Sequence, residues 1–278
     1  MSSRVYDKSE WQNIPDWEIV QKFAKGNALY VHPDVDLSQR LYRYMHFDQA
    51  VRMLADREMW FSAPERWEDP HEAWWCEHLF RDKSHLGTAY AYGTCWTRRW
   101  LDEPFWRLYG CKCETEPDPT AAPGRAVKVL PAVRFRARAS TLLEWLLESV
   151  RGKAAKAYIG QVRYCPVEQL AHEARKIRAT SKNASPTAAK GLHLKRKAFK
   201  FEDEVRMLWI DRDRKRPGHA IPFDPLTLFD QVMIGPTRVE HLDRYSHVEA
   251  ALMSLGVPHS MIVPSSVFDP PDISSIRP

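Results

Sequence analysis

The chain has 278 residues, of which 44% are hydrophobic and 28% charged, and its net charge is +5. That length fits one large domain or two small ones, and the composition excludes a disordered chain, a collagen-like repeat and a coiled coil. No apolar run nears the ~20 residues that cross a bilayer, since the best, over 141–147, is broken by Glu144, so no membrane partner is expected. The first residues carry no apolar stretch of the secretory type. The five cysteines (Cys76, Cys95, Cys111, Cys113 and Cys165) are too few and irregular for a disulfide framework, so a cytoplasmic location is expected. Cys111-x-Cys113 and Cys76-x-His78 leave one residue between ligands where zinc sites leave about two to four, so buried thiols and no metal are expected. Nine of the eleven tryptophans precede residue 110, which predicts a bulky aromatic core or an aromatic-lined cleft in the first third.

Residues 41–46 (LYRYMH) read as a strand. Residues 47–56 carry Phe47, Val51 and Leu54 at helical spacing, with Asp48 as the expected N-cap. A short strand over 59–62 (MWFS) ends at Ala63-Pro64, and a third strand is predicted over 93–97 (GTCWT). A helix over 103–109 and a Pro- and acid-rich loop over 114–123 follow. Alternation resumes with Val127 and Val129, then with Val133, Phe135 and Ala137 against Arg134, Arg136 and Arg138, a strand with one arginine face. Ser140 is expected to cap a helix that buries Leu142, Leu143, Leu146, Leu147 and Val150. Then come a strand over 157–164, a basic helix over 167–180 and a loop over 181–189. Residues 201–210 (FEDEVRMLWI) read as the clearest late strand, 232–235 as another, 238–255 as a helix closed by Gly256, and 258–263 as a short strand. Without repeats, a βαβα rhythm or a glycine-rich phosphate loop, this pattern predicts an α+β fold and excludes Rossmann and P-loop architectures. It reads as a single domain over 1–278, with a core at about 40–263 and a basic helical insertion at about 166–200.

Charge is unevenly spread: residues 175–216 hold fourteen Lys/Arg against five Asp/Glu. A solvated surface explains such a run, and so does a polyanionic partner such as RNA or DNA, with Lys195, Arg196 and Lys197 at its densest point and Arg134, Arg136 and Arg138 beside it. Glu202-x-Glu204-x-Arg206 places both carboxylates and the guanidinium on one strand face, with Phe201, Val205, Met207 and Trp209 on the other. Two such carboxylates repel, so their proton affinities separate, which suits one stabilising carboxylate and one proton acceptor. An exposed mixed-charge strand gives the same pattern. Arg43 between Tyr42 and Tyr44 has the chemistry to grip a phosphate while an aromatic ring stacks on a base, or else it is an edge-strand arginine. The acids in Trp67-Glu68-Asp69-Pro70-His71-Glu72 either orient Arg43 or cap a turn, and Trp106-x-x-Tyr109 at helical spacing is most simply core.

In order, Tyr42-Arg43-Tyr44, Trp60-Phe61-Ser62-x-Pro64, Glu68-Asp69-Pro70-x-Glu72, Cys95-Trp96-Thr97, Trp106-x-x-Tyr109 and Glu202-x-Glu204-x-Arg206 resemble the motifs of a bacterial domain-of-unknown-function family. That family has Asn where Glu68 stands here. Its layout is in turn similar to the ADP-ribosyltransferase-like fold, a split β-sheet core with flanking helices. The resemblance implies NAD as substrate and Glu204 and Glu202 as catalytic carboxylates. It implies Arg43, Tyr44, Ser62, Trp60, Trp106 and Tyr109 as the residues that bind NAD. It implies ADP-ribosyl transfer by a cytoplasmic bacterial toxin or phage-defence effector, with nucleic acid, a protein or water as acceptor and an antitoxin protein as a further partner. The rival expectation is a non-catalytic nucleic-acid or nucleotide-binding module on the same scaffold.

Overall fold

The computed structural model describes residues 18–22, 28–32, 34–72, 74, 89–100, 103–110, 113–114, 128–129, 131–180, 184–213, 215–236 and 242–267. Its strands are β1 (Glu18–Lys22), β2 (Ala28–Val31), β3 (Arg40–His46), β4 (Glu58–Ser62), β5 (Tyr90–Thr97), β6 (Cys113–Glu114), β7 (Lys128–Val129), β8 (Ala132–Arg138), β9 (Ala155–Gln161), β10 (Arg163–Cys165), β11 (Leu194–Arg196), β12 (Glu204–Asp211), β13 (Gly218–Pro222), β14 (Gln231–Ile234) and β15 (Ile262–Pro264). The main helices are α1 (Phe47–Asp56), α2 (Ala139–Val150), α3 (Val167–Thr180), α4 (Ala184–Leu192) and α5 (Leu242–Ser254). Helices and mixed sheet make this an α+β fold. The chain divides into two compact units: unit 1 draws on Met1–Leu41, Glu58–Arg99 and Arg138–Phe223, and unit 2 on Tyr42–Arg57, Trp100–Ala137 and Asp224–Pro278.

In unit 1 the strands run in the order β1-β2-β9-β12-β5, with only the β2–β9 pair parallel. β4 joins β5 at Ser62 opposite Gly93 and pairs antiparallel with β13. All eight residues of β12 are buried, because both faces of this central strand are covered. One face, with Val205, Met207 and Trp209, lies on the side of Trp96 and Tyr92 in the register with β5. The other packs Leu208 and Ile210 with Tyr30, Tyr158 and the small residues Ala188 and Ala189 of α4. α2 buries the five apolar side chains expected of it and packs on β2 and β9. Trp145 of α2 donates its indole N–H to the Pro222 carbonyl at 2.8 Å, which fastens the β4–β13 pair.

In unit 2 the strand order is β3-β8-β14-β15, with β8–β14 antiparallel and β14–β15 parallel. α1 and α5 pack together. The helical turn Glu103–Phe105 runs into a wider π turn, Trp106–Gly110, which sets Phe105 and Trp106 against Tyr44.

Several expectations are corrected. The expected loop at 181–189 is mostly helix α4. Its residues are small and buried all round, so it shows no polar face, and Pro186 sits in the first turn, where a backbone N–H is not needed. Glu202 closes a 3-10 turn (Lys197–Glu202) and does not lie on the strand, and Phe201 is exposed. The N-cap positions are His46 for α1 and Arg138 for α2, so Asp48 and Ser140 fall inside their helices. Strands β1, β2, β6, β11 and β13 lie where the sequence pattern predicts none. Of the expected loop at 114–123, all but Glu114 lies outside the described residues, as does Val127.

Gly93 sits where the Trp67 indole crosses β5. A Cβ there would lie 2.7 Å from that indole and 2.9 Å from the Leu208 side chain. Gly93→Ala is therefore expected to lower stability by about 1–3 kcal/mol through overpacking. Urea unfolding of both proteins measures this, and an unchanged midpoint would mean that Trp67 moves aside freely.

Candidate functional site

Five ionisable side chains meet at the start of β12. Arg206 has no solvent exposure. Its Nε and Nη2 donate to the two oxygens of Glu204, both at 2.9 Å, and Nη2 also donates to Glu72 Oε1 at 2.7 Å. Its Nη1 donates to the Leu192 carbonyl at the end of α4, and its guanidinium stacks 4.3 Å from the centre of a Trp67 ring. Lys195, buried on β11, donates to Glu202 at 2.5 Å and to Glu204 at 3.4 Å, and lies 3.9 Å from Glu72. Three carboxylates thus face two cations, all buried. Beside them Arg196 grips Asp69 through Nε and Nη2 at 3.1 and 2.9 Å.

Local sequence explains the convergence. Asp203 takes a left-handed backbone (φ 46), a conformation that aspartate tolerates, and this ends the 3-10 turn before β12 begins. The kink lets Glu202 and Glu204 approach one ammonium group from two directions. Asp69 accepts from the His71 N–H and so caps the turn that carries Glu72. Asp69 and Glu72 therefore do cap and orient, but their arginines are Arg196 and Arg206, where the sequence suggested Arg43. Burial would push the Glu204 carboxyl up, yet Arg206, Lys195 and a hydrogen bond from Cys95 outweigh it and hold its pKa down at about 2. Burial disfavours the Lys195 ammonium, but the carboxylates prevail and raise its pKa. Tyr164, whose hydroxyl accepts from the Glu204 N–H at 2.9 Å, is raised by burial and by Glu204. Desolvation and the Glu204 charge raise the Cys95 thiol, which stays protonated at neutral pH although the residue as a whole is exposed.

Unit 1 brings together three of the expected site residues. Ser62 accepts from Trp67 Nε1 at 3.0 Å, and Trp67 carries Arg206, which holds Glu204 beside Glu202. Trp60, 45% exposed, shares a strand with Ser62 and lies close over Gly218. Arg43, Tyr44, Trp106 and Tyr109 belong to unit 2. There Tyr44 meets Trp106 edge-on at 4.8 Å and Phe105 at 5.1 Å, and Tyr109 lies 5.4 Å from Phe105, so these rings form an aromatic core. Arg43 is half-buried, between the buried Tyr42 and Tyr44.

The expected cationic surfaces are corrected too. Lys195 is a buried counter-ion and Arg196 a half-buried one, which leaves Lys197 as the exposed member of that triplet. Arg134 is 1% exposed, donates to Gln231 at 2.8 Å and to the Trp100 carbonyl, and lies 4.7 Å from the centre of the Tyr42 ring. Arg136 pairs with Asp230 at 2.6 Å, and Arg138 is exposed. The strand therefore has no continuous arginine face: Arg134 is buried, Arg136 is half-buried and paired, and of the three Arg138 alone is exposed. Lys195, Glu72, Trp67 and Tyr164 were missed as site residues. The signal available for Glu72 was its place in the Asp69-Pro70-x-Glu72 turn, and Lys195 lay hidden in a run of cations.

Comparison with protein-family models, with curated proteins and with solved structures finds no match. Among the described residues no group of three or more His, Cys, Asp or Glu is placed to hold a metal ion, and no helix is long and apolar enough to cross a membrane. Cys76, His78 and Cys111 lie outside the described residues.

His193, buried at the end of α4, has Nδ1 2.7 Å from the Ala189 carbonyl and Nε2 3.2 Å from the Arg206 carbonyl. Burial lowers its pKa from 6.5 to about 4, against the pull of those carbonyls. The unfolded chain therefore binds this proton first. The stability His193 contributes is complete above about pH 6.5 and is lost as pH falls through about 4, a change of about 3 kcal/mol. The corresponding loss from Glu204 comes lower, between about pH 4.5 and 2. Urea midpoints at about pH 7 and about pH 4.5 should differ strongly for the wild type and much less for His193→Gln. An equally steep dependence in the variant would assign the loss to other groups.

Proposed function

We propose that the charge cluster of unit 1 is the centre of an NAD-dependent ADP-ribosyl transfer. The observation that carries this reading is a buried cluster of three carboxylates on two cations, with Glu204 held ionised. Breaking the nicotinamide–ribose bond develops positive charge on the ribose, as in glycoside cleavage. A preorganised negative centre stabilises that charge without reorganising at the moment of reaction. In this reading Glu204 faces the developing cation and Glu202 accepts the proton of the incoming nucleophile. Ser62 and Trp60 line the nicotinamide side. Electrons and charge balance without any further reactant: the C–N bond pair leaves with nicotinamide, and the acceptor supplies the new bond and releases a proton. An ADP-ribosyltransferase-like split sheet belongs to the same proposal, supported by a mixed sheet whose late strand opens on Glu204. So does service in the cytoplasm as a toxin or phage-defence effector with an antitoxin partner.

One observation favours a second reading, a non-catalytic nucleotide-binding module. Both oxygens of Glu204 are already engaged by Arg206, and the residue is 4% exposed. The two readings part on turnover. Incubation with NAD labelled in the adenosine moiety, together with cellular RNA, DNA and protein, should release nicotinamide and label one fraction. The module would bind NAD and release none.

Glu204→Gln is expected to lower nicotinamide release by at least ~10²-fold. It also leaves Arg206 with one carboxylate fewer, so a stability loss of about 3–5 kcal/mol is expected. Rates are therefore compared at a temperature where near-ultraviolet circular dichroism shows the variant folded. Release at the wild-type rate would remove Glu204 from the mechanism.

A further inference from the structure

The 3-10 turn Lys197–Glu202 repeats every three residues, so side chains three apart stand one above the other. Phe199 and Glu202 share one edge. Glu202 is buried on Lys195, so this edge faces inward, and the half-buried Phe199 ring has Lys195 and Arg196 over it at 4.8 and 5.1 Å. Ala198 and Phe201 share the second edge, where Phe201 is 41% exposed. Lys197 and Lys200 share the third; both are exposed, and neither has an ion-pair partner among the described residues. The two phenylalanine rings are 6.5 Å apart and 28° from parallel.

The turn is fastened to the end of β5. Thr97 Oγ1 donates to the Glu202 carbonyl at 2.6 Å, and the Arg98 N–H donates to the Asp203 carbonyl at 3.1 Å. The Arg98 guanidinium grips the Asp203 carboxylate at 2.5 and 3.1 Å, and Arg99, 53% exposed, reaches within 4.0 Å of it. Two cations, Arg98 and Arg99, thus stand at the half-buried Asp203 carboxylate, and the turn that Asp203 closes carries two more exposed cations, Lys197 and Lys200, and the exposed Phe201 ring.

A patch of this kind asks two things of a partner. Several negative charges in a row must offset the mutual repulsion of the cations, and flat apolar groups must cover the ring. A single-stranded nucleic acid supplies both, with phosphates for the cations and unpaired bases that stack on the phenylalanine. A duplex keeps its bases stacked within itself, and an acidic peptide brings charge with few flat faces. We propose that the 197–202 turn, together with Arg98 and Arg99, is a docking surface for single-stranded nucleic acid. The surface touches the carboxylate cluster through Glu202, whose carbonyl binds Thr97 and whose carboxylate binds Lys195. Binding here does not depend on NAD turnover and stands or falls separately from it.

The test uses the full chain without NAD and fluorescein-labelled single-stranded RNA and DNA of about 12 nucleotides, read by anisotropy at several salt concentrations. The wild type is expected to bind with a strong dependence on salt. Phe201→Ala should weaken binding about tenfold or more and leave the log–log salt slope unchanged, because stacking is lost and phosphate contacts are kept. Lys197→Gln with Lys200→Gln should flatten the slope by about 1.4, which corresponds to two released phosphate contacts. All three side chains are exposed, so the variants keep the fold. Failure of the wild type to bind at low salt would overturn the proposal, as would variants that bind like the wild type. Equal competition by polyglutamate would overturn it as well, because the surface would then belong to an acidic protein segment.

Discussion

A guanidinium without access to water is tolerable only if its donors are met inside the protein, and Arg206 organises unit 1 around that requirement. Two carboxylates, one helix-end carbonyl and one indole face surround it. They come from three stretches of chain, so the segment that carries Trp67 and Glu72, the end of α4 and the opening of β12 are fixed to one point. The Leu192 carbonyl lies at the C-terminal end of α4, where the helix dipole is negative, and this adds to the attraction. Truncating any one partner leaves the others with a buried, uncompensated charge, so the group behaves as a unit.

The regular parts of the fold were legible because hydrophobic spacing wrote them out. α1 at 47–56 and α3 at 167–180 follow a helical repeat, and α2 carries its apolar stripe in full view. α4 was hidden, because a buried helix of alanine, serine, threonine and glycine has no contrast between faces. The arginines of β8 misled for the opposite reason: their alternation promised an exposed face, and tertiary packing buried Arg134 and half-buried Arg136, leaving Arg138 exposed.

The candidate site was half legible. Glu202, Glu204 and Arg206 stood out as a group two residues apart, and Asp69 and Glu72 were visible as turn acids. The partners of those acids were not visible, since an ion pair across 127 or 134 residues leaves no local trace. Lys195 was misassigned because charge counted along a sequence says nothing of burial. The same count still drew attention to the right neighbourhood, where Lys197 and Lys200 remain at the surface.

Unit 1 is written in three pieces, and its central strand is the last but one of its strands to be made. On the ribosome, β5 and the turn with Glu72 emerge long before β12 and wait while 100–137, which belong to unit 2, are synthesised. Until residue 206 has left the exit tunnel, Glu72 has no arginine to hold, and the sheet lacks the strand that joins β9 to β5. A nascent chain stopped anywhere before about residue 210 would therefore display unsatisfied sheet edges to chaperones and proteases. For the same reason no single cut in the gene separates the two units. A usable fragment of either would have to be rejoined by new linkers across the missing stretches.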